Sequence, residues 1–122
     1  RFPMVAPLIL KRGKDMNVGD VVYIYLFDLE KSLINMKLLR EDRFGKILRV
    51  SELFDQARNE SVKIYDIQLL NKKIISYRSD SLTTNMASLS ELIEIIGRAN
   101  ISFDKRNELI EQINGLSFNK TL

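Results

Sequence analysis

The chain has 122 residues, 45% hydrophobic and 29% charged, with a formal net charge of +3; this balance suits one folded domain with its own core and argues against wholesale disorder. It contains no histidine and no cysteine, which excludes serine-histidine and cysteine-histidine nucleophiles, an imidazole general base and zinc sites built on those ligands. No cofactor or metal site is expected, and without thiols to report a redox compartment the cytoplasm is the default location.

The opening Arg1-Phe2-Pro3-Met4-Val5-Ala6-Pro7-Leu8-Ile9-Leu10-Lys11-Arg12 is apolar, but it holds two prolines and no cleavage-like site follows, so it does not read as a signal peptide. An initial Arg reads as a fragment or processed form, with Met4 and Met16 as alternative starts. Residues 1–17 are expected to be an arm or an edge strand, since the prolines exclude a central one. The longest apolar run, Val21-Val22-Tyr23-Ile24-Tyr25-Leu26-Phe27, is far short of the roughly 20 residues of a membrane-spanning helix.

Val18-Gly19-Asp20 supplies a turn into the first strand. The pentapeptide Val18-Gly19-Asp20-Val21-Val22 resembles the opening strand of small SH3-like barrels, including toxin ribonucleases and translation-factor modules; the likeness is confined to these residues and implies no more than a small β-rich fold. From here to residue 78 the chain reads as β-rich. Residues 21–37 and 62–78 share a grammar: an apolar β-branched and aromatic run, a short polar turn, then a second apolar run ending in a base. Both are expected to be β-hairpins, turning at Glu30-Lys31-Ser32 and at Asn71-Lys72-Lys73. In the second, Asn71 is expected to take the positive φ of a tight turn, and Tyr65, Ile67 and Leu69 to share one face with Ile75 and Tyr77 opposite. The rival reading for 29–39 is a helix capped by Asp28 and favoured by its long side chains. Between the hairpins, 44–50 reads as a short strand. Ser51 then caps a short helix that ends near Arg58 and sets Leu53, Phe54 and Ala57 against the sheet.

Residues 79–87 read as a polar linker, and helical periodicity follows over 88–115. Ser88-Leu89-Ser90-Glu91 is a capping box, and the helix is expected to reach about Ile96 before Gly97 ends it with positive φ. Ser102 or Asp104 starts a second helix, with Leu109, Ile110 and Ile113 on one stripe and Asn114-Gly115 as its stop. The expected class is therefore α+β: a mostly antiparallel, curved sheet of about five strands with two β-hairpins, one short inserted helix and a C-terminal αα-hairpin.

Glycines at 13, 19, 45, 97 and 115 fit neither a Walker A loop nor a dinucleotide fingerprint. No Asp or Glu precedes a Lys by two positions, and the nearest acidic cluster, Asp28-Leu29-Glu30-Lys31, reads as a charged turn. Basic residues concentrate in 1–49, where ten Lys and Arg face six Asp and Glu. If nucleic acid is bound, Lys11, Arg12, Lys14, Arg40, Arg43, Lys46 and Arg49 would carry the electrostatics and Tyr23 and Tyr25 could stack on bases, although alternating aromatics in an apolar run more often form core. If protein is bound, Ile95 and Ile96 are the candidate interface, because the apolar surface of the first C-terminal helix is wider than one sheet face requires. The leading expectation is a non-enzymatic interaction module, a subunit or adaptor of a larger assembly with a protein partner or self-association. Nucleic-acid binding is second, and a histidine-free metal-dependent nuclease or ribonuclease toxin third.

Overall fold

The computed structural model describes residues 16–26, 28–35 and 38–116. The expected N-terminal strand, the Lys11, Arg12 and Lys14 cluster, and Phe27 lie outside them. The fold is α+β. Strand β1 (Val21–Leu26) is followed by helix α1 (Leu29–Asn35), a 3₁₀ turn (Glu41–Arg43), β2 (Phe44–Asp55), β3 (Glu60–Leu69), β4 (Ile74–Arg78), β5 (Thr84–Ser88), α2 (Leu89–Arg98) and α3 (Phe103–Asn114). All strand pairs are antiparallel, and the order across the sheet is β4-β3-β2-β1-β5.

Strand β1 is buried on both faces, as its unbroken apolar run requires. Tyr23 and Tyr25 point into a core shared with Leu29, Leu33, Phe44, Leu92, Ile96, Leu109 and Ile113, contributed largely by the helices. Val22 and Ile24 point the other way, into a core with Met16, Ile47, Tyr65, Ile67 and Met86. In β2, the register passes from Ile47 opposite Ile67 to Arg49 opposite Asp66, so Leu48 is the extra residue of a bulge. This shift lets both Ile47 and Val50 join the second core. The sheet curls until its two outer strands meet, and Tyr77 Oη of β4 donates to the carbonyl of Thr84 in β5 at 3.0 Å. No ladder joins those strands, so the sheet stays open.

Two expected elements exchange places. The first hairpin, 21–37, is a strand followed by helix α1, and the expected helix 51–59 is the far part of β2 with its turn. For α1, Leu29 and Leu33 fall one helical turn apart and are both buried. The Asp28 carboxylate accepts from the Lys31 N–H at 3.3 Å. In place of a returning strand, β1 pairs with β2 through 21–23 on one edge and with β5 through 22–26 on the other. For 51–59, Ser51 lies opposite Ile64, and its hydroxyl donates to the Ile64 carbonyl at 3.5 Å rather than capping a helix. Pairing Glu52 with Lys63 and Leu53 with Val62 extends the ladder, which outweighs the local helix signal. Leu53 and Phe54 are exposed rather than packed against the sheet.

The 62–78 hairpin forms in the expected register, with Tyr65 opposite Tyr77 and Ile67 opposite Ile75. Its positive φ, 75°, belongs to Lys72 rather than Asn71; the Asn71 carboxamide oxygen instead accepts from the Lys73 N–H at 3.0 Å. The linker is shorter than expected, because 84–88 is strand β5, held against β1 by the burial of Met86 and Ala87.

The capping box at Ser88 and Glu91 is present in both directions, at 3.2 and 3.0 Å. Gly97 does not stop α2, which continues to Arg98 with Ala99 as its C-cap. The stop comes from Arg106 of α3, whose guanidinium donates to the carbonyls of Ile96, Ala99 and Ile101 at 3.3, 3.1 and 3.4 Å. Ser102 caps α3 by accepting from the Lys105 N–H at 3.1 Å. Two further contacts tie α3 to the segment after β1: Lys105 Nζ donates to the Ile34 carbonyl at 2.9 Å, and the Gln112 carboxamide bonds both the N–H and the carbonyl of Leu39, at 2.9 and 2.8 Å.

Two glycines should respond oppositely to alanine. A Cβ on Gly97 would meet nothing within 4 Å, so Gly97→Ala should raise stability by about 1 kcal/mol through the unfolded chain. A Cβ on Gly45 would overlap Ile67 Cγ2 and sit 3.0 Å from the Gln68 carbonyl oxygen, so Gly45→Ala should lower stability by about 1–3 kcal/mol. Urea denaturation of the two variants checks both signs.

Candidate interaction groove

Tyr25 lies opposite Asn85, and Tyr23 opposite Ala87, in the β1–β5 ladder. The start of α1 rises beside this pair of strands and α2 crosses it, leaving two adjoining cavities of about 260 and 330 Å³. Tyr25, Ile95 and Arg98 line both. Asp28, Leu29, Glu30 and Asn85 complete one, and Ala87, Glu91 and Glu94 complete the other. On α2, residues 91, 94, 95 and 98 share a face by the i, i+3, i+4, i+7 rule, so Ile95 stands among charged neighbours while also packing against the core that holds Leu92 and Ile96.

The floor is apolar and the rim acidic. Four carboxylates, Asp28, Glu30, Glu91 and Glu94, surround it with one guanidinium, Arg98. Glu91 is held by its capping role, and Asp28 lies 4.0 Å from Lys31 Nζ. The side chains of Glu30, Glu94 and Arg98 make no hydrogen bond or ion pair among the described residues. Such a groove suits a ligand with cationic groups around an apolar one. Of the two isoleucines singled out in the sequence, Ile95 is half-buried at the groove floor and Ile96 is 0% exposed in the core. Asn85, Glu94 and Arg98 are site residues that pattern reading missed; the spacing of Glu91, Glu94 and Arg98 on one helix face was the available signal.

The basic candidates separate into two kinds. Arg40 is bound to Asp42 by two hydrogen bonds, at 3.1 and 2.8 Å, and the guanidinium holds the Asp42 carboxyl below the usual carboxylate range. Arg49 lies 3.1 Å from Asp66. Arg43 and Lys46 have no such partner among the described residues. Arg43 lines a cavity of about 260 Å³ with Ile24, Asp42, Leu69, Asn71, Lys73 and Ile75. It also shares a smaller cavity of about 80 Å³ with Tyr25, Leu29 and Arg40. Leu29 therefore borders both this basic corner and the acidic groove, and α1 stands between the two.

Tyr23 and Tyr25 are 2% and 7% exposed, so neither ring offers a face for stacking on a base. Tyr23 packs on Phe44 with ring centroids 4.6 Å apart, and its hydroxyl accepts from the Arg40 N–H at 3.3 Å. Among the described residues no three carboxylates gather to hold a metal ion, Asp28 and Glu30 included. Ser102 and Lys105 have serine-lysine spacing, but the lysine ammonium is engaged by the Ile34 carbonyl. No helix among the described residues is long and apolar enough to cross a membrane. No protein-family model matches this chain, and no curated protein and no solved structure matches it.

Burial pushes the Tyr23 hydroxyl above the ordinary tyrosine value, opposed in part by its bond from Arg40 and by the Arg40 and Arg43 cations. Burial raises Tyr77 likewise. A raised folded-state value means that the neutral hydroxyl is favoured by folding, so its contribution is full below about pH 10 and is lost as pH rises above it. Tyr23→Phe should therefore flatten the alkaline loss of stability, measured as denaturation midpoints between about pH 8 and 11.

Proposed function

We propose that the protein is a non-enzymatic interaction module, a subunit or adaptor of a larger assembly, whose groove between α1, β5 and α2 takes a basic, partly apolar segment of a protein partner. The observation that carries this reading is the placement of Ile95 at the floor of a cavity pair whose rim holds four carboxylates and one guanidinium. An apolar floor supplies contact area, while rim charges select a cationic partner and speed its approach. Ile95, one of the two isoleucines of the helix pattern, lines both cavities, whereas Ile96 is buried in the core.

Nucleic-acid binding is the second reading, favoured by Arg43 and Lys73 lining one cavity. Against it, Arg40 and Arg49 are matched to carboxylates and the tyrosine rings are covered.

Titration of the isotopically labelled chain with a short peptide carrying two lysines beside an isoleucine discriminates these readings. Amide shifts should concentrate at Tyr25, Asn85, Glu94, Ile95 and Arg98. Glu94→Lys should weaken the peptide by about five- to tenfold, in line with roughly 1 kcal/mol for a rim charge. Shifts confined to Arg43, Lys46 and Lys73 on addition of single-stranded RNA, with none from the peptide, would transfer the function to the basic corner.

A further inference from the structure

The groove calls for cationic side chains flanking an apolar one, and the chain displays such a segment itself. In the turn between β3 and β4, Asn71, Lys72, Lys73 and Ile74 are all exposed, Ile74 at 60%. Neither lysine is engaged in an ion pair among the described residues. The turn is already ordered: Lys72 N–H donates to the Leu69 carbonyl at 2.9 Å, Leu69 N–H to the Lys73 carbonyl at 2.8 Å, and Lys73 N–H to the Asn71 carboxamide at 3.0 Å. A preformed turn loses little conformational freedom on docking.

We propose that the groove of one copy receives the β3–β4 turn of a second copy, with Lys72 and Lys73 facing Glu30 and Glu94, and Ile74 against Ile95. This rests on the reading of the groove as a protein-binding site and names its occupant. Charge complementarity carries the choice of a second copy: among the described residues, Glu30 and Glu94 of the acidic rim and Lys72 and Lys73 of the turn make no ion pair, and Arg43 shares a cavity with Lys73. No residue lines both the groove and the cavity next to the turn, so the two surfaces of one copy are separate. The contact is heterologous, groove to turn, and it closes as a reciprocal pair or a ring, or runs on as an open chain, according to the angle between the two surfaces. It is also salt-sensitive, because the rim charges are exposed to solvent.

Sedimentation velocity of the whole chain at about 50 and 500 mM salt tests the pairing. Species larger than a monomer should grow with concentration at low salt and recede at high salt. Glu30→Gln/Glu94→Gln and Lys72→Gln/Lys73→Gln should each weaken association at least tenfold. An equimolar mixture should form a 1:1 dimer that does not extend, because the intact turn of the first variant meets the intact groove of the second. A wild-type chain that stays monomeric at millimolar concentration overturns the self-pairing, as does a mixture that forms no dimer. The lysine-isoleucine peptide separates the two levels: if it still perturbs Ile95 while the chain stays monomeric, the groove remains a protein site with another occupant. If it does not, the groove reading fails as well.

Discussion

Four successive residues of β1, Val22 to Tyr25, are buried, and a strand covered on both faces obliges the rest of the chain to supply two layers. The helices form one, meeting Tyr23 and Tyr25. The curled β2–β3–β4 meander forms the other, meeting Val22 and Ile24. Both edges of β1 are also taken, by β2 and β5. The position of α1, the curl of the sheet and the groove beside Tyr25 all follow from the demand that this strand be enclosed.

Polar side chains from the C-terminal helices then fix what apolar packing leaves loose. Arg106 closes the end of α2, while Gln112 and Lys105 hold the chain on its way from α1 to β2. They work on backbone groups at element ends and in connections, where Arg106 adds to the bonds that the Ile96 and Ala99 carbonyls already accept from the Ala99 and Ile101 N–H groups. Because α1 is pinned at its far end by α3, its first turn is set beside α2, and the acidic rim inherits that placement.

The parts of the fold carried by local chemistry were legible in the sequence. The capping box, the alternation around the second hairpin and the apolar run of β1 each need only neighbouring residues. The exchange of hairpin and helix shows where local reading stops. Segment 29–35 has a helix signal and a strand signal of similar strength, and only as a helix does it set Leu29 and Leu33 together into a core whose other members come from as far away as Leu109 and Ile113. Segment 51–55 carries a helix cap that loses to a ladder with β3. In the groove, Ile95 and the spacing of Glu91, Glu94 and Arg98 on one helix face were legible; Asn85 comes from a strand whose short polar sequence reads as a linker, and the two pairs of carboxylates come together only in three dimensions. The basic candidates are a different case: spacing showed four cations in a row, but not that Asp42 and Asp66 lie beside two of them.

The pairing of β1 with β5 joins residues such as Tyr23 and Ala87 across most of the chain. During synthesis, β1 emerges well before the strand that closes its second edge, and α2 and α3, which complete the cover that α1 begins over its tyrosines, follow after that. The meander can form from near-neighbour contacts, whereas the centre of the molecule waits for the C-terminal third. Until then an aromatic, β-branched strand is left with one open edge and one face only partly covered. The nascent chain thus carries its greatest aggregation hazard in the segment that, once folded, is the most enclosed.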